Sequence, residues 1–223
     1  MTQHRRFRIL DMLRFRQPTL TVLAEEVHKP HNFSAVIRTC DAVGIGHVHA
    51  VRPRVGMPTY NETSAGAQRW VPVTVYDDLP GALAAVRAKG MSVYAAHFSP
   101  TAVDYREIDY TKPGAVLIGT EKYGVTPEGA EAADQHIIIP MLGMVQSLNV
   151  SVAAAAILFE AQRQRLAAGM YAEPQLSREE LLAAALPYFS NEDRALYTQQ
   201  PELFEQELTH VMNTGRTRPA RSR

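Results

Sequence analysis

The chain has 223 residues, 46% of them apolar, and its 23 Lys plus Arg balance 23 Asp plus Glu. That suits one large domain with extensions and a substantial core, and the net charge by itself signals no polyanionic partner. The single cysteine, Cys40, excludes an intramolecular disulfide, and no Cys-His spacing matches a zinc site.

The opening segment "RRFRILDMLRFRQP" carries apolar residues at helical spacing, Phe7, Leu10 and Leu13, and Pro18 closes it. It is strongly basic: Arg5, Arg6, Arg8, Arg14 and Arg16 stand against one acid, Asp11. "LTVLAEEV" reads as a strand. "HKPHNFSAVIRTCDAVGI" follows as a loop and a helix, with Asn32 or Ser34 as the expected cap and Gly44 at its end. "HVHAV" and "VPVTVY" are strands, with a short helix expected at "ETSAGAQRW" between them. "DLPGALAAVRAKG" is a helix and "MSVYAAHF" a strand.

The alternation continues. "GAVLIGTE" is a strand, and "TPEGAEAA" is a helix with Thr126 as N-cap and Pro127 at its first position. "HIIIP" is a strand and "SLNVSVAAAAILFEAQRQR" a long helix. Alternating strands and helices predict an α/β fold with a mainly parallel sheet. Residues 170–223 change character: "SREELLAAAL" opens with a capping box, Ser177 with Glu180, and "PELFEQELTHVM" is a further helix. A disordered tail with four arginines is expected after it. The expected organisation is a basic helix at 1–19, an α/β domain at 20–169 and a helical extension at 170–223. The N-terminus lacks the apolar core of a signal peptide and the apolar runs are too short to span a membrane, so a reduced, cytoplasmic setting is expected.

Ligands of open α/β sheets bind beyond the carboxyl ends of the strands. Three segments place polar residues at such ends: "HKPHNFSAVIR", "GTEKYG" and "PMLGMVQSLN". Other chemistries lack their signatures. "GIGHVH" precedes a strand instead of following one and has no third glycine, so it is no dinucleotide fingerprint. No phosphate-binding G-x-x-x-x-G-K-S/T loop and no G-x-S-x-G elbow occurs. His28 and His31 flank Lys29-Pro30, and a polar loop is favoured there over a metal site.

"NFSAVIRTCDAVGI", "LIGTEKYGVTPE" and "IIIPMLGMVQSLNVSVAAAAILFEAQRQR" resemble, in order and spacing, the three motifs of the SpoU/TrmH-type ribose methyltransferases of the SPOUT superfamily. The resemblance covers roughly residues 5–171. It implies a deep C-terminal trefoil knot, one of the rare exceptions to unknotted chains, and a homodimer. It implies S-adenosylmethionine as cofactor, no metal, and transfer of a methyl group to a guanosine ribose 2′-oxygen in the D-loop of tRNA, at position 18. The alternatives are a ribosomal RNA ribose methyltransferase and a noncatalytic RNA-binding protein of the same fold.

The resemblance also assigns residues. Arg38 is the catalytic candidate, either receiving the hydroxyl proton or orienting the hydroxyl and stabilising developing alkoxide charge. The second role suits a guanidinium better, because it stays protonated and offers no acceptor. Asn32 would hold that arginine or the ribose. Glu121 would pair with a basic group of the catalytic loop or cap the loop. Ser147 and Asn149 would shape the pocket, or cap the long helix as well. Gly119, Ile139, Leu148 and Ala96 would line the cofactor, with Ala96 offering no hydroxyl where relatives can carry a threonine. RNA phosphates are expected at Arg5, Arg6 and Arg8 of the first helix, and at Arg163 and Arg165 at the end of the long one.

Overall fold

The structure, a computed structural model, describes residues 1–53 and 69–214. Most of the helix expected at "ETSAGAQRW" and the basic tail lie outside the described residues. The described chain divides into two compact units, residues 17–170 and residues 1–16 with 171 onward.

The larger unit is built on a parallel sheet. Its strands are β1 (Leu20–Glu25), β2 (Val48–Val51), β3 (Val73–Tyr76), β4 (Ser92–Ala96), β5 (Val103–Asp104), β6 (Gly114–Ile118) and β7 (Gln135–Ile138). They run in the order β3-β2-β1-β6-β4-β7-β5, every pair parallel. The central strands β1 and β6 are buried along their whole length, which accounts for their unbroken apolar runs. The two-residue strand β5 is not among the expected elements, because so short a segment carries no period.

Helices flank the sheet: α2 (Pro30–Ala42), α3 (Leu79–Arg87), α4 (Pro127–Ala132) and α5 (Val150–Ala167). One core joins Phe33, Val36 and Ile37 of α2 to Ala154, Ile157, Leu158 and Ala161 of α5 and to the β1, β2 and β6 strands. A second core packs Leu79, Leu83 and Val86 of α3 against Leu23, Val93 and Leu117. α2 starts earlier than the sequence suggested. Its N-cap is Lys29, which makes no side-chain cap bond, and Pro30 stands in the first turn. Neither Asn32 nor Ser34 caps it; both lie within the helix. Gly44, at φ +86°, follows its end as expected.

The C-terminal end of α5 is tied to the amino ends of the central strands. Arg165 is fully buried. Its Nε donates to the Tyr110 carbonyl (2.8 Å), Nη1 to Gln17 Oε1 (3.1 Å) and Thr19 Oγ1 (3.0 Å), and Nη2 to the Thr19 (3.1 Å) and Lys112 (3.3 Å) carbonyls. The preceding Gln164 clasps the same segment. It accepts from the Tyr110 amide at 2.9 Å and donates to the Ile108 carbonyl at 2.9 Å.

The smaller unit brings α1 (Gln3–Leu13) together with α6 (Arg178–Ala185), α7 (Asn191–Gln199) and α8 (Pro201–Thr214). Ile9, Leu10, Leu13, Leu181, Tyr197, Phe204 and Leu208 are buried in it. The Ser177–Glu180 capping box forms in both directions. α7 was not anticipated; its polar start, capped by Ser190, shows no amphipathic signal before Leu196 and Tyr197. Arg6 makes the unit's main ion pairs, to Glu207 at 2.7 Å and Asp193 at 3.0 Å, and the Tyr197 hydroxyl donates to Glu207 at 2.5 Å.

Candidate active site

Three loops leave the carboxyl ends of β1, β6 and β7, and side-chain hydrogen bonds join them. The loop after β1 begins at Glu26, a non-glycine residue at φ +51°. That left-handed conformation is costly for a residue with a Cβ, and it turns the chain into the first turn of α2. Glu25, just before it, is buried. Its carboxylate accepts from the Thr126 amide (2.9 Å) and hydroxyl (2.5 Å), fixing the end of β1 to the N-cap of α4.

The loop after β6 is a tight turn. Thr120 and Gly124 exchange backbone bonds of 2.8 and 2.9 Å, and the Tyr123 amide donates to Thr120 Oγ1 at 3.0 Å. Gly124 has φ +69°. Gly119 enters the turn so close to it that a Cβ there would lie 1.9 Å from the Gly124 carbonyl oxygen. The turn carries Glu121, whose side chain is 8% exposed, to the β1 loop. There Oε1 accepts from Asn32 Nδ2 at 2.7 Å and from the Lys29 amide at 3.3 Å. Oε2 is buried without a well-directed hydrogen bond, and His28 Nδ1 lies 3.1 Å from it.

The loop after β7 supplies the third partner. Asn149 Nδ2 donates to Asn32 Oδ1 at 3.1 Å, while Asn149 Oδ1 accepts from the amide and hydroxyl of Ser151 at 2.9 and 2.6 Å. Asn149 therefore caps α5 and holds Asn32 at the same time. Glu121 meets both the His28 ring and the Lys29 amide. Asn32's two polar groups go to Glu121 and Asn149; it does not hold Arg38.

Arg38 lies six residues further along α2, exposed and without an ion pair among the described residues. Its side chain is open to solvent. Ser147 is exposed on the β7 loop, two residues before Asn149. The same loop exposes Leu142, Met144, Val145 and Leu148, the first two completely. Ile139 follows β7 directly and is half-buried against the core; Ala96 ends β4, between β6 and β7. Gly119, Ala96 and Ile139 thus stand at the carboxyl ends of adjacent strands, beside an apolar loop.

The basic residues divide. Arg5, Arg8 and Arg163 are exposed, Arg163 in contact with Glu160 at 2.7 Å. Arg6 and Arg165 are corrections to the expected RNA surface. Arg6 has a side chain 12% exposed and committed to Glu207 and Asp193, and Arg165 is sealed in its cage of carbonyls. Helical spacing beside a basic cluster cannot tell an outward arginine from one that serves as a buried clasp. His28, the ring beside Glu121, carries no local signal in the sequence beyond that of a polar loop. Among the described residues no three His, Cys, Asp or Glu side chains converge as metal ligands, and no helix is long and apolar enough to cross a membrane.

Comparison with known proteins gives consistent likenesses. Residues 19–159 match the model of the SpoU rRNA Methylase family. The tRNA (guanosine(18)-2′-O)-methyltransferase of Thermus thermophilus is 60% identical over 178 residues, 80% of this chain and 92% of that protein. The crystal structure of a TrmH/SpoU tRNA modifying enzyme from Aquifex aeolicus aligns with a TM-score of 0.78 at 40% identity, covering 84% of this chain and 98% of that one. The SpoU methyltransferase AviRb of Streptomyces viridochromogenes, in complex with AdoMet, aligns with a TM-score of 0.61 at 28% identity, over 71% of this chain and 65% of that one.

Proposed function

The chain belongs to the SpoU rRNA Methylase family, and from that premise we propose that it is a tRNA (guanosine-18-2′-O)-methyltransferase. The observation that carries this reading beyond the family is the 60% identity, over 80% of the chain, to a tRNA (guanosine(18)-2′-O)-methyltransferase, and the Asn32 node gathers the β1, β6 and β7 segments at the carboxyl edge of the sheet where that chemistry would occur. The cofactor is S-adenosylmethionine, and the residues fit it: Ala96, Gly119 and Ile139 bring strand-end backbone to one place, and Leu148 with Met144 and Leu142 offers uncovered apolar surface for an adenosine. When bound it supplies a methyl group already activated on a sulfonium, so alignment of the acceptor oxygen is the protein's main task.

Arg38 performs that alignment. Its planar fork holds the ribose 2′-hydroxyl or a neighbouring phosphate and stabilises negative charge as it develops on the oxygen. Asn32, Glu121 and Asn149 fix the loops around it, and Ser147 contributes to the wall of the pocket. Arg5, Arg8 and Arg163 meet RNA phosphates outside the pocket. The loop Pro140–Asn149 belongs to a trefoil knot, the fold's expected departure from simple threading, and the chain works as a homodimer in the cytoplasm. Support for the dimer comes from α5, which buries Ala154, Ile157 and Leu158 in its own unit yet leaves Val152 and Phe159 half-exposed.

The test is incubation of the purified chain with a tRNA transcript and methyl-labelled S-adenosylmethionine, followed by mapping of 2′-O-methyl groups. Label at the position-18 ribose is expected. Label only in ribosomal RNA would favour the rRNA methyltransferase alternative, and failure to bind the cofactor would favour a noncatalytic RNA-binding protein.

A further inference from the structure

Tyr123 is 78% exposed, on the same turn that places the nearly buried Glu121 two residues earlier. An exposed aromatic is ordinary by itself, and Phe98 is more exposed still; what marks Tyr123 is the turn that holds it beside Glu121. The turn's backbone is pinned: paired Thr120–Gly124 bonds close it, the Tyr123 amide donates to Thr120, and Gly119 has no room for a Cβ. The Tyr123 hydroxyl has no hydrogen-bond partner among the described residues. The Lys122 ammonium lies 4.9 Å from the ring centroid. Across Glu121, Lys29 at the end of the β1 loop and His31 in the first turn of α2 are both exposed. An exposed aromatic plane, with one lysine against it and the candidate catalytic node two residues away on the same turn, has the chemistry that binds an unstacked nucleobase and its phosphate.

We infer that Tyr123 is the stacking platform for an unpaired base of the RNA substrate, with Lys122 meeting the adjoining phosphate; this rests on the methyl-transfer reading above. A base whose ribose is to be methylated must leave its own stack, and a preformed aromatic surface offsets part of that loss. Tyr123 is a positioning residue: it acts on the base, while the reaction occurs on the sugar. Stacking uses the ring and not the hydroxyl, so the ring alone should suffice.

The experiment compares Tyr123→Phe, Tyr123→Leu and Tyr123→Ala in the full chain, measuring methyl transfer to tRNA, tRNA affinity, S-adenosylmethionine affinity and thermal unfolding. Tyr123→Ala should lower kcat/KM for tRNA and tRNA affinity by at least about fivefold, with cofactor affinity and unfolding unchanged. Tyr123→Phe should stay close to wild type, and Tyr123→Leu should fall toward the alanine variant. Lys122→Ala should reduce the salt slope of tRNA binding by about 0.7–0.9. A phenylalanine variant as poor as alanine would assign the role to the hydroxyl, and a leucine variant as good as wild type would reduce it to bulk; either overturns the platform. A wild-type chain that transfers no methyl group would overturn the underlying reading instead. The platform is then judged on affinity alone, where equal binding by wild type and Tyr123→Ala overturns it.

Discussion

Asn32 and Asn149 stand 117 positions apart in the chain, and a hydrogen bond of 3.1 Å joins their side chains. Asn32 spends its amide nitrogen on Glu121 and its oxygen on Asn149, so one short side chain fixes the mutual position of two distant loops. Replacing it with alanine leaves the Glu121 carboxylate, already nearly buried, without its shortest donor. Asn32→Ala should cost about 1–3 kcal/mol locally and lower methyl transfer. Asn32→Asp should be worse, because it sets a second carboxylate against the first. Turnover and urea unfolding of the two variants check this; wild-type-like activity in both would show that the node does not hold the site.

Arg38 has no ion pair among the described residues and lies exposed on α2. Arg38→Ala should change stability by no more than about 0.5 kcal/mol while nearly abolishing methylation, with cofactor binding kept. Arg38→Lys should also be poor, since a point charge does not reproduce a planar fork. Single-turnover methyl transfer with saturating tRNA is the measurement, and wild-type-like turnover would remove Arg38 from the reaction.

The two arginines near the end of α5 should behave in opposite ways. Arg165→Ala removes a buried guanidinium from a cage of carbonyl and side-chain oxygens, and should cost at least about 3 kcal/mol of stability. Arg163→Ala, on the exposed side, should barely change the unfolding midpoint. It should lower the salt slope of tRNA binding by about 0.7–0.9, as should Arg5→Ala and Arg8→Ala. Urea unfolding together with salt titrations separates the two kinds of residue.

Acid should weaken the larger unit through His49. Its ring is buried, Nδ1 is bonded to the Tyr76 hydroxyl at 2.8 Å, and Nε2 has no partner. Burial, then the charges of His47 and Lys89, lowers its pKa from 6.5 to about 4. The unfolded chain therefore binds more protons than the folded one in this window. The stability that His49 contributes is complete above pH 6.5 and is lost as pH falls through 6.5 toward about 4. His47, lowered for the same reason, adds in the same direction. Unfolding midpoints at about pH 7.5 and about pH 5 should differ less in His49→Gln than in the wild type; an equal drop in both would assign the acid sensitivity elsewhere.

The strands and the strongly capped helices were legible because burial on both faces and the Thr126-Pro127 and Ser177-Glu180 signals are local. Three segments at strand ends could also be read as one site, since the fold class alone says where ligands bind. What could not be read is pairing at a distance. Nothing around Asn32 announces Glu121 or Asn149 as its partners, and a helix cap was the simplest local role for it. Arg6 and Arg165 were misread for the same reason: a sequence displays a charge, while the acids and carbonyls that absorb it are supplied by remote segments. β5 and α7 were missed because one is too short and the other too polar at its start to show a period.

The pairing of Arg6 with Glu207 and Asp193 also bears on how the protein is made. α1 leaves the ribosome well before α6 and α8, the helices it packs against. Residues 17–170 form a compact unit of their own and can close while translation is still under way. Until α8 follows, Ile9, Leu10 and Leu13 have no apolar cover from Phe204, Leu208 and Val211, and Arg6 has no counter-charge. The nascent chain must therefore carry α1 as an uncovered amphipathic segment while the whole of residues 17–170 is made.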